Sequence, residues 1–393
     1  MHRLVEPANA KEDGRALDSG AQARGSGVLN RPTDVAFWPH RSDRDTASFR
    51  VRCAAIVDGL RRHGVAARFY QPGDPPPAVL VLSKRYDTQS VAHAQALRHA
   101  AGTRWALDLC DNHFLVPPDA LPGDKLAVRA ARLIAAVQAA DWVITSSEPL
   151  RREIEGRVPP VRGVSVIEDA VDEIAQPSGA AGPPALRNCL QFGHQRLFEL
   201  AHRAAPGRRL VWFGNHAAHE AGGGIDALIE LGARLNRHHA QAPLTLTVIS
   251  NHREKYHGLR TPWRFPSIYQ DWSTGSFAAL VARHDVAIVP AHPTPFGICK
   301  SSNRLVTAFS LGVAVAAGAI PAYEPFRGLA VLDDWEEGLQ ALMDDAGERA
   351  RRIQQAKAII ASHYTLDVIS GQWAALIRRL ATEPAAVASA SAR

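Results

Sequence analysis

Lys300, Ser302, Asn303, Arg304 and Thr307 fall within one eight-residue stretch. Two cations, an amide and two hydroxyls at that spacing suit the oxygens of a phosphate and a ribose. The apolar run Asp285 to Pro290 precedes them, and Val313 to Ala317 follows a glycine stop at Gly312. The order predicts a buried strand, a loop, a helix from Ser302 to Leu311 and a second strand. The N-terminus of such a helix offers unpaired N–H groups and the positive end of the macrodipole, both favourable to an anion. Lysine occurs at only six positions in this arginine-rich chain, so Lys300 at the loop–helix junction points to a local task; the alternative is a solvated first-turn cation. Lys300, Asn303 and Thr307, spaced by three and four, share a face. The plainer account has Ser301 or Ser302 capping the helix and the rest in solvent.

Open α/β sheets bind ligands at the carboxyl ends of their strands, which brings other loops into view. Gly214 and Asn215 follow the apolar Arg209 to Phe213, and a position without a side chain lets backbone approach a diphosphate. Gly222, Gly223 and Gly224 precede the next helix, but form neither a dinucleotide fingerprint nor a Walker loop. Ser250 ends another strand and faces a base or ribose, and Tyr323 lies beyond Gly318 in the last loop. In the first half, Asp108, Asp111 and His113 follow the strand Arg104 to Leu109. Two carboxylates and an imidazole there suit proton transfer or sugar hydroxyls, or a polar loop that caps nearby helices. Arg50 and Arg52 open the first helix and could clamp an anion on the acceptor side; two residues apart, at most one is expected in a crevice. Glu168, Asp169 and Asp172 leave the last strand of that half, either lining the cleft or capping the linker. His216 and His219 lack a convincing set of metal partners.

These loops need strands to carry them, and the chain supplies strands alternating with helices. Strands are expected at Asp34 to Trp38, Val65 to Tyr70, Ala78 to Ser83, Arg104 to Leu109, Trp142 to Thr145 and Gly163 to Ile167. Helices are expected at Ala47 to His63, Thr88 to Ala101, Asp124 to Ala139 and Pro149 to Glu155. Continuous apolar strands joined by helices predict a doubly wound parallel sheet. The rhythm stops over 171–208, read as a linker and capping segment, and restarts at Arg209. Residues 33–170 and 209–365 therefore form two Rossmann-like α/β domains, with polar tails expected at 1–32 and 383–393. Late helices are expected at Asp334 to Met343, Ala346 to His363 and Leu366 to Ala381.

The 393 residues, 46% hydrophobic and 21% charged, suffice for two globular cores. A net charge of +6 and a pI near 9.3 suit an anionic partner. The charge is dispersed, which argues against nucleic acid. Cys53, Cys110, Cys189 and Cys299 are scattered, with no metal-knuckle pairing, and fit a reducing cytosol. No apolar run approaches a membrane span and no secretory leader is read, so a cytoplasmic protein is expected, with peripheral contact to the inner membrane face left open.

Taken together, four segments resemble the GT-B glycosyltransferases, in particular the retaining family-4-like group (also described as glycosyltransferase group 1). They are Ser48-Phe49-Arg50-Val51-Arg52 with the helix ending at His63-Gly64; Asp108-Leu109-Cys110-Asp111-Asn112; Ile167-Glu168-Asp169-Ala170-Val171-Asp172; and Asp285 to Pro290 running through Gly312 to Tyr323. The resemblance covers roughly Asp34 to Leu380. It implies two Rossmann-like domains facing a cleft, the second holding a nucleotide-sugar donor and the first an acceptor that is a glycan, a lipid-linked sugar or a small molecule. It also implies a final helix, with Trp373, that crosses back to the first domain over 366–382. No metal or cofactor is implied, because helix dipoles and basic side chains meet the leaving diphosphate. Two departures stand out. Thr307 occupies the place of a ribose-binding glutamate in an E-x7-E pattern, and Gly214 to Gly224 lacks the usual basic pair. They keep open a GT-B protein that binds a nucleotide sugar or glycan without catalysis, and a sugar-nucleotide epimerase on the same fold.

Overall fold

The computed structural model describes residues 34–116, 121, 123–159, 161–172, 174, 189–214 and 224–382. The expected tails, residues 175–188 of the expected linker, and Asn215, His216, His219, Gly222 and Gly223 lie outside the described residues.

Two six-stranded sheets, both wholly parallel, organise the chain. The first runs β2-β1-β3-β4-β5-β6, with β1 Asp34–Pro39, β2 Ala66–Phe69, β3 Val79–Ser83, β4 Arg104–Leu109, β5 Trp142–Thr145 and β6 Val164–Val166. The second runs β12-β11-β10-β7-β8-β9, with β7 Arg209–Phe213, β8 Thr245–Ser250, β9 Ser267–Asp271, β10 Val286–Val289, β11 Ala314–Ala317 and β12 Val331–Leu332. Every residue of β3, β8, β10 and β11 is buried. That follows from parallel pairing, because the crossover helices cover both faces. Successive side chains alternate between those faces. Val79 and Val81 join Val35 and Phe37 in one core, while Leu80 and Leu82 join Ala36, Trp105 and Leu107 in the other. In the second sheet Val211 and Val289 face one core, and Leu210, Val286 and Ile288 the other.

The helices of the first half are α1 Ala47–Phe49, α2 Ala55–Arg62, α3 Thr88–Ala101, α4 Lys125–Ala139 and α5 Glu148–Arg157. The single helix expected over 47–63 is instead three pieces, with a π-helical turn at Arg50–Ala54 between α1 and α2. Within the expected linker lies α6 Cys189–Arg203. It is followed by α7 Leu228–Gln241, α8 Arg253–Leu259, α9 Phe277–Val281, α10 Asn303–Ser310, α11 Glu337–Asp344, α12 Ala346–His363 and α13 Leu366–Thr382. Among the described residues no helix is long and apolar enough to cross a membrane.

Helix α13 follows the second sheet in sequence but packs on the first. Ile369, Trp373 and Ile377 share a core with Val35, Phe37 and Leu60, and the Trp373 ring lies 5.5 Å from that of Phe37. The crossing is tight where α2 meets α13. A Cβ on Gly59 would sit 2.5 Å from the Cβ of Ser370. Gly→Ala in an open helix stabilises by about 1 kcal/mol. Gly59→Ala should instead cost ~1–3 kcal/mol, because the buried contact cannot yield. Urea unfolding of the variant measures the sign, and a stabilised variant would refute this docking.

Candidate functional site

On the second sheet the site begins where β10 ends. The chain there turns tightly enough to exclude side chains. A Cβ on Gly297 would approach the His292 carbonyl oxygen to 2.1 Å, and one on Gly318 the Ala291 carbonyl oxygen to 2.1 Å. The loop then enters α10 through Ser302, which caps it without a side-chain hydrogen bond, and no carboxylate lies in the first turn. The helix therefore presents its positive end without an acidic residue of its own; a neighbouring carboxylate, Asp169, is held by Ser301 and Arg52. Beside that end, Arg304 directs its guanidinium toward Gly214, where a Cβ would lie 3.6 Å from Nη1. This Nη1 is buried and has no hydrogen-bond partner among the described residues. A guanidinium nitrogen unmet in the interior costs free energy that an anion would recover. Asn303 is half-buried on the same turn.

Other donor-side candidates sit deeper. Thr307 is buried on the inner face of α10, and Tyr323 is buried in the core beneath it. Burial pushes the Tyr323 phenol up, with Arg304 pulling the other way. The Ser302 hydroxyl is buried against Tyr364. Ser250 is fully buried at the end of β8, and its Oγ is unpartnered among the described residues. Gly214, Arg304 and the head of α10 thus come together, whereas Tyr323, Thr307 and Ser250 form the layer under them.

Lys300 does not face this anion pocket. It extends across to the first sheet, where its Nζ lies 2.5 Å from an Asp111 carboxylate oxygen and 4.0 Å above the centre of the Phe296 ring. Lys84 pairs with the other Asp111 oxygen. Burial alone would raise the Asp111 carboxyl, but Lys300 and Lys84 hold it well below the usual carboxylate range. Lys84 takes φ +50° at the end of β3, in the left-handed region that costs a side-chain-bearing residue roughly 1–2 kcal/mol. Around this ion pair the 295–301 loop is fastened to the first domain. Asn112 Nδ2 donates to the Pro295 carbonyl at 3.0 Å, Ser147 Oγ to the Cys299 carbonyl at 2.7 Å, and Ser301 Oγ to Asp169 at 2.6 Å. Cys299 and Ile298 pack in the core of the first sheet.

Three sequence candidates occupy different places from those expected. Asp108, expected to face an acceptor, is wholly buried. One carboxylate oxygen accepts from Arg52 at 2.6 and 2.9 Å, and the other from the Ser83 hydroxyl at 2.8 Å. Arg52 also reaches Asp169 at 2.9 Å and the Ile167 carbonyl at 3.0 Å. Arg50 pairs with Asp172 at 2.7 Å and lies over the Trp272 ring at 5.1 Å. Instead of one arginine reaching a crevice, both are buried ties between the first helix and the segment leaving β6. Asp172 is the partner of Arg50, and Asp169 joins Asp108 on Arg52, whereas Glu168 accepts from the Tyr364 hydroxyl.

Asp111 lies between Lys84 and Lys300, with His113 Nε2 at 3.9 Å from its carboxylate. A cavity of about 750 Å³ opens beside them on the first domain, with Lys84, Tyr86 and His113 in its wall. Lys84, Tyr86 and Ser147 were not candidates in the sequence; only the scarcity of lysine marked Lys84. The Tyr86 hydroxyl and His113 Nδ1 are 2.7 Å apart. Burial lowers the His113 ring to about 4, despite Asp111, and likewise lowers His284 in the second domain to about 3. Both rings are therefore neutral at pH 7. Between about pH 6.5 and pH 4 the unfolded chain binds protons that these folded rings do not, so stability rises with pH across that window and is lost on acidification. His113 alone accounts for on the order of 3 kcal/mol. The urea midpoint should fall between pH 7 and pH 4.5, and His113→Asn should flatten the curve; an unchanged midpoint in the parent protein would contradict a buried neutral imidazole.

Two parallel α/β sheets, strand-end loops that meet across a cleft and a last helix returned to the first domain define the GT-B fold, and this chain has it. No protein-family model matches the sequence, and no curated protein matches it. The likeness is structural. Sucrose-phosphate synthase from Thermosynechococcus elongatus superposes with a TM-score of 0.62 at 13% identity, over 88% of this chain and 98% of that one. HepE of Anabaena, in complex with UDP and glucose, superposes with a TM-score of 0.59 at 14% identity, over 88% and 99%. WaaG, a glycosyltransferase involved in lipopolysaccharide biosynthesis, gives a TM-score of 0.57 at 13% identity, over 87% and 99%.

Proposed function

We propose that this chain is a glycosyltransferase that moves a hexosyl group from a nucleotide-sugar donor to an acceptor hydroxyl, with no metal or cofactor and with retention at the anomeric carbon. The observation that carries the reading is the approach of Arg304 to Gly214 at the head of α10, where its buried Nη1 has no partner among the described residues. A guanidinium beside the positive end of a helix attracts a diphosphate. In the transfer the bond from the anomeric carbon to the diphosphate oxygen breaks, and its electron pair leaves with the phosphate. The acceptor oxygen forms the new bond to that carbon and passes its proton to the departing diphosphate oxygen. Arg304 and the α10 dipole meet the charge that develops on the leaving group, and Lys300 joins them by exchanging Asp111 for the diphosphate. Asn303 lies toward the phosphate, Ser250, Ser302, Thr307 and Tyr323 support it from beneath, and Asn215 is assigned to the donor from the sequence alone. Asp111 and His113 face the acceptor, and the neutral imidazole suits a sugar hydroxyl at pH 7. Asp108, Arg50 and Arg52 act on the site through the fold. A cytoplasmic setting, a peripheral membrane contact and a role in polysaccharide assembly belong to the same reading.

The HepE structures carry UDP, UDP with glucose, and UDP-glucose, which makes uridine the first base to try. The test is release of nucleoside diphosphate from UDP-glucose and its GDP, ADP and CMP counterparts, with and without a panel of acceptors. Acceptor-stimulated release with a new glycoside supports transfer. The pairing of Lys300 with Asp111 and the presence of Thr307 favour a second reading, a nucleotide-sugar binder without turnover; binding with neither release nor glycoside would establish it. Isomerisation of the donor without acceptor would mark an epimerase.

A further inference from the structure

The cavity on the first domain is far more cationic than the protein as a whole. Arg41, Lys84, Lys125, Arg129 and Arg132 line it, against one carboxylate, Asp87. That carboxylate is already engaged, accepting from the backbone and hydroxyl of Ser90 at 2.9 and 2.8 Å to cap α3. Lys84 is committed to Asp111. Arg41, Lys125, Arg129 and Arg132 have no ion pair or hydrogen bond among the described residues, and Arg129 Nε is buried without a partner. Lys125, Arg129 and Arg132 are spaced i, i+4 and i+7, which sets three cations on one face of α4, a helix with no acidic residue in its first turn. Their field reaches the wall of the cavity. Arg129 acts on both Tyr86 and His113, and Arg41 and Lys84 add to the burial that lowers His40. Phe49 and Val128 supply an apolar side. Like charges are not gathered around a concave surface of 750 Å³ without cost, and the volume lies within the range of small-molecule sites.

We propose that this cavity binds an acceptor bearing a phosphate, with Arg129, Arg41 and Arg132 on the phosphate and the nucleophilic hydroxyl turned toward Asp111 and His113. The inference rests on the glycosyl-transfer reading and narrows its acceptor class. Arginine matches a phosphate through paired N–H groups. Arg129 is half-buried in the wall and so is less screened by salt than the exposed Lys125 and Arg132. The neutral His113 at the inner end can face a hydroxyl without repelling the cations beside it.

The experiment uses the whole chain and two measurements on each preparation. Isothermal titration with glucose 6-phosphate, fructose 6-phosphate, inorganic phosphate and glucose reads the cavity. Co-sedimentation with phosphatidylcholine vesicles, with and without 20% phosphatidic acid, reads a lipid-borne phosphate. Titration with UDP reads the donor pocket separately, so loss of UDP binding counts against the transfer reading and loss of phosphate binding against this one. The expected result is binding of a phosphorylated sugar, or of the phosphatidic acid vesicles, at least tenfold tighter than glucose or plain vesicles. Arg132→Ala, at an exposed position, should weaken it about tenfold and Arg129→Gln more, whereas Arg129→Lys should restore part of the loss. Circular dichroism melting shows whether each variant is folded, and Arg132→Ala keeps the test decisive if Arg129→Gln does not fold. Glucose binding as tightly as its phosphate, phosphate binding indifferent to the folded variants, or binding of neither phosphorylated sugars nor anionic vesicles would overturn the proposal.

Discussion

Arg52→Ala is expected to lower the unfolding free energy by about 3–5 kcal/mol, the cost of removing one partner from a buried ion pair. The side chain is 2% exposed and Asp108 is at zero, so no water replaces the guanidinium. Asp108, Asp169 and the Ile167 carbonyl each lose a donor, and among the described residues Asp108 and Asp169 keep only the neutral hydroxyls of Ser83 and Ser301. Burial opposes the Arg52 charge, but Asp108 and Asp169 outweigh it and raise its proton affinity. The guanidinium also lies over the Trp373 ring at 5.7 Å, so the variant loosens the seat of α13 as well as the end of β4. Arg52→Lys should recover little, because an ammonium cannot reach three acceptors with the planar fork of arginine. Denaturant unfolding measures the loss; a cost near zero would mean that these carboxylates are solvated rather than buried.

Lys300→Ala is expected to lower kcat for sugar transfer by about 10²–10³, comparable to removing one electrostatic donor from a developing oxyanion, while stability changes by less than about 1 kcal/mol. The Lys300 side chain is 36% exposed, and pairs with that exposure contribute little to folding. Asp111 keeps Lys84 after the change. The expected pattern is therefore a folded, inactive protein, the reverse of Arg52→Ala. Asp111 holds Lys300, so an incoming diphosphate must compete for it. Unchanged turnover in Lys300→Ala would leave Lys300 as a tie between the domains and nothing more.

The strands nearest the centre of each sheet were plain in the sequence. Val79–Ser83 and Val286–Val289 are apolar because both faces are covered, and that signal survives without knowledge of neighbours. The unit β10, α10 and β11 lies within a residue or two of its expected bounds for the same reason. The periphery was not legible. Edge strand β9 reads Ser-Ile-Tyr-Gln-Asp, pairs only with β8 and keeps one side toward solvent, so its polarity hides it. Helix α8, Arg-Glu-Lys-Tyr-His-Gly-Leu, buries only Tyr256 and lacks a periodic apolar face. In the site, the residue types were visible but their partners were not. Asp108 and Arg52 are 56 residues apart, Asp111 and Lys300 189. A carboxylate that holds an arginine inside the fold looks the same in sequence as one that faces a substrate. Only packing separates Asp108, sealed beneath the strand ends, from Asp111 at the cleft.

The central claim is that the head of α10 holds the diphosphate of a nucleotide sugar. The most direct test is thermal melting of the protein with UDP, GDP, ADP and CMP, repeated with Arg304→Ala. A nucleotide at one hundred times its Kd stabilises the native state by about 2.7 kcal/mol, enough to raise the melting temperature visibly. A nucleoside diphosphate should raise the melting temperature, and Arg304→Ala should abolish the rise. No rise with any nucleotide, or a rise that Arg304→Ala leaves intact, would contradict the claim.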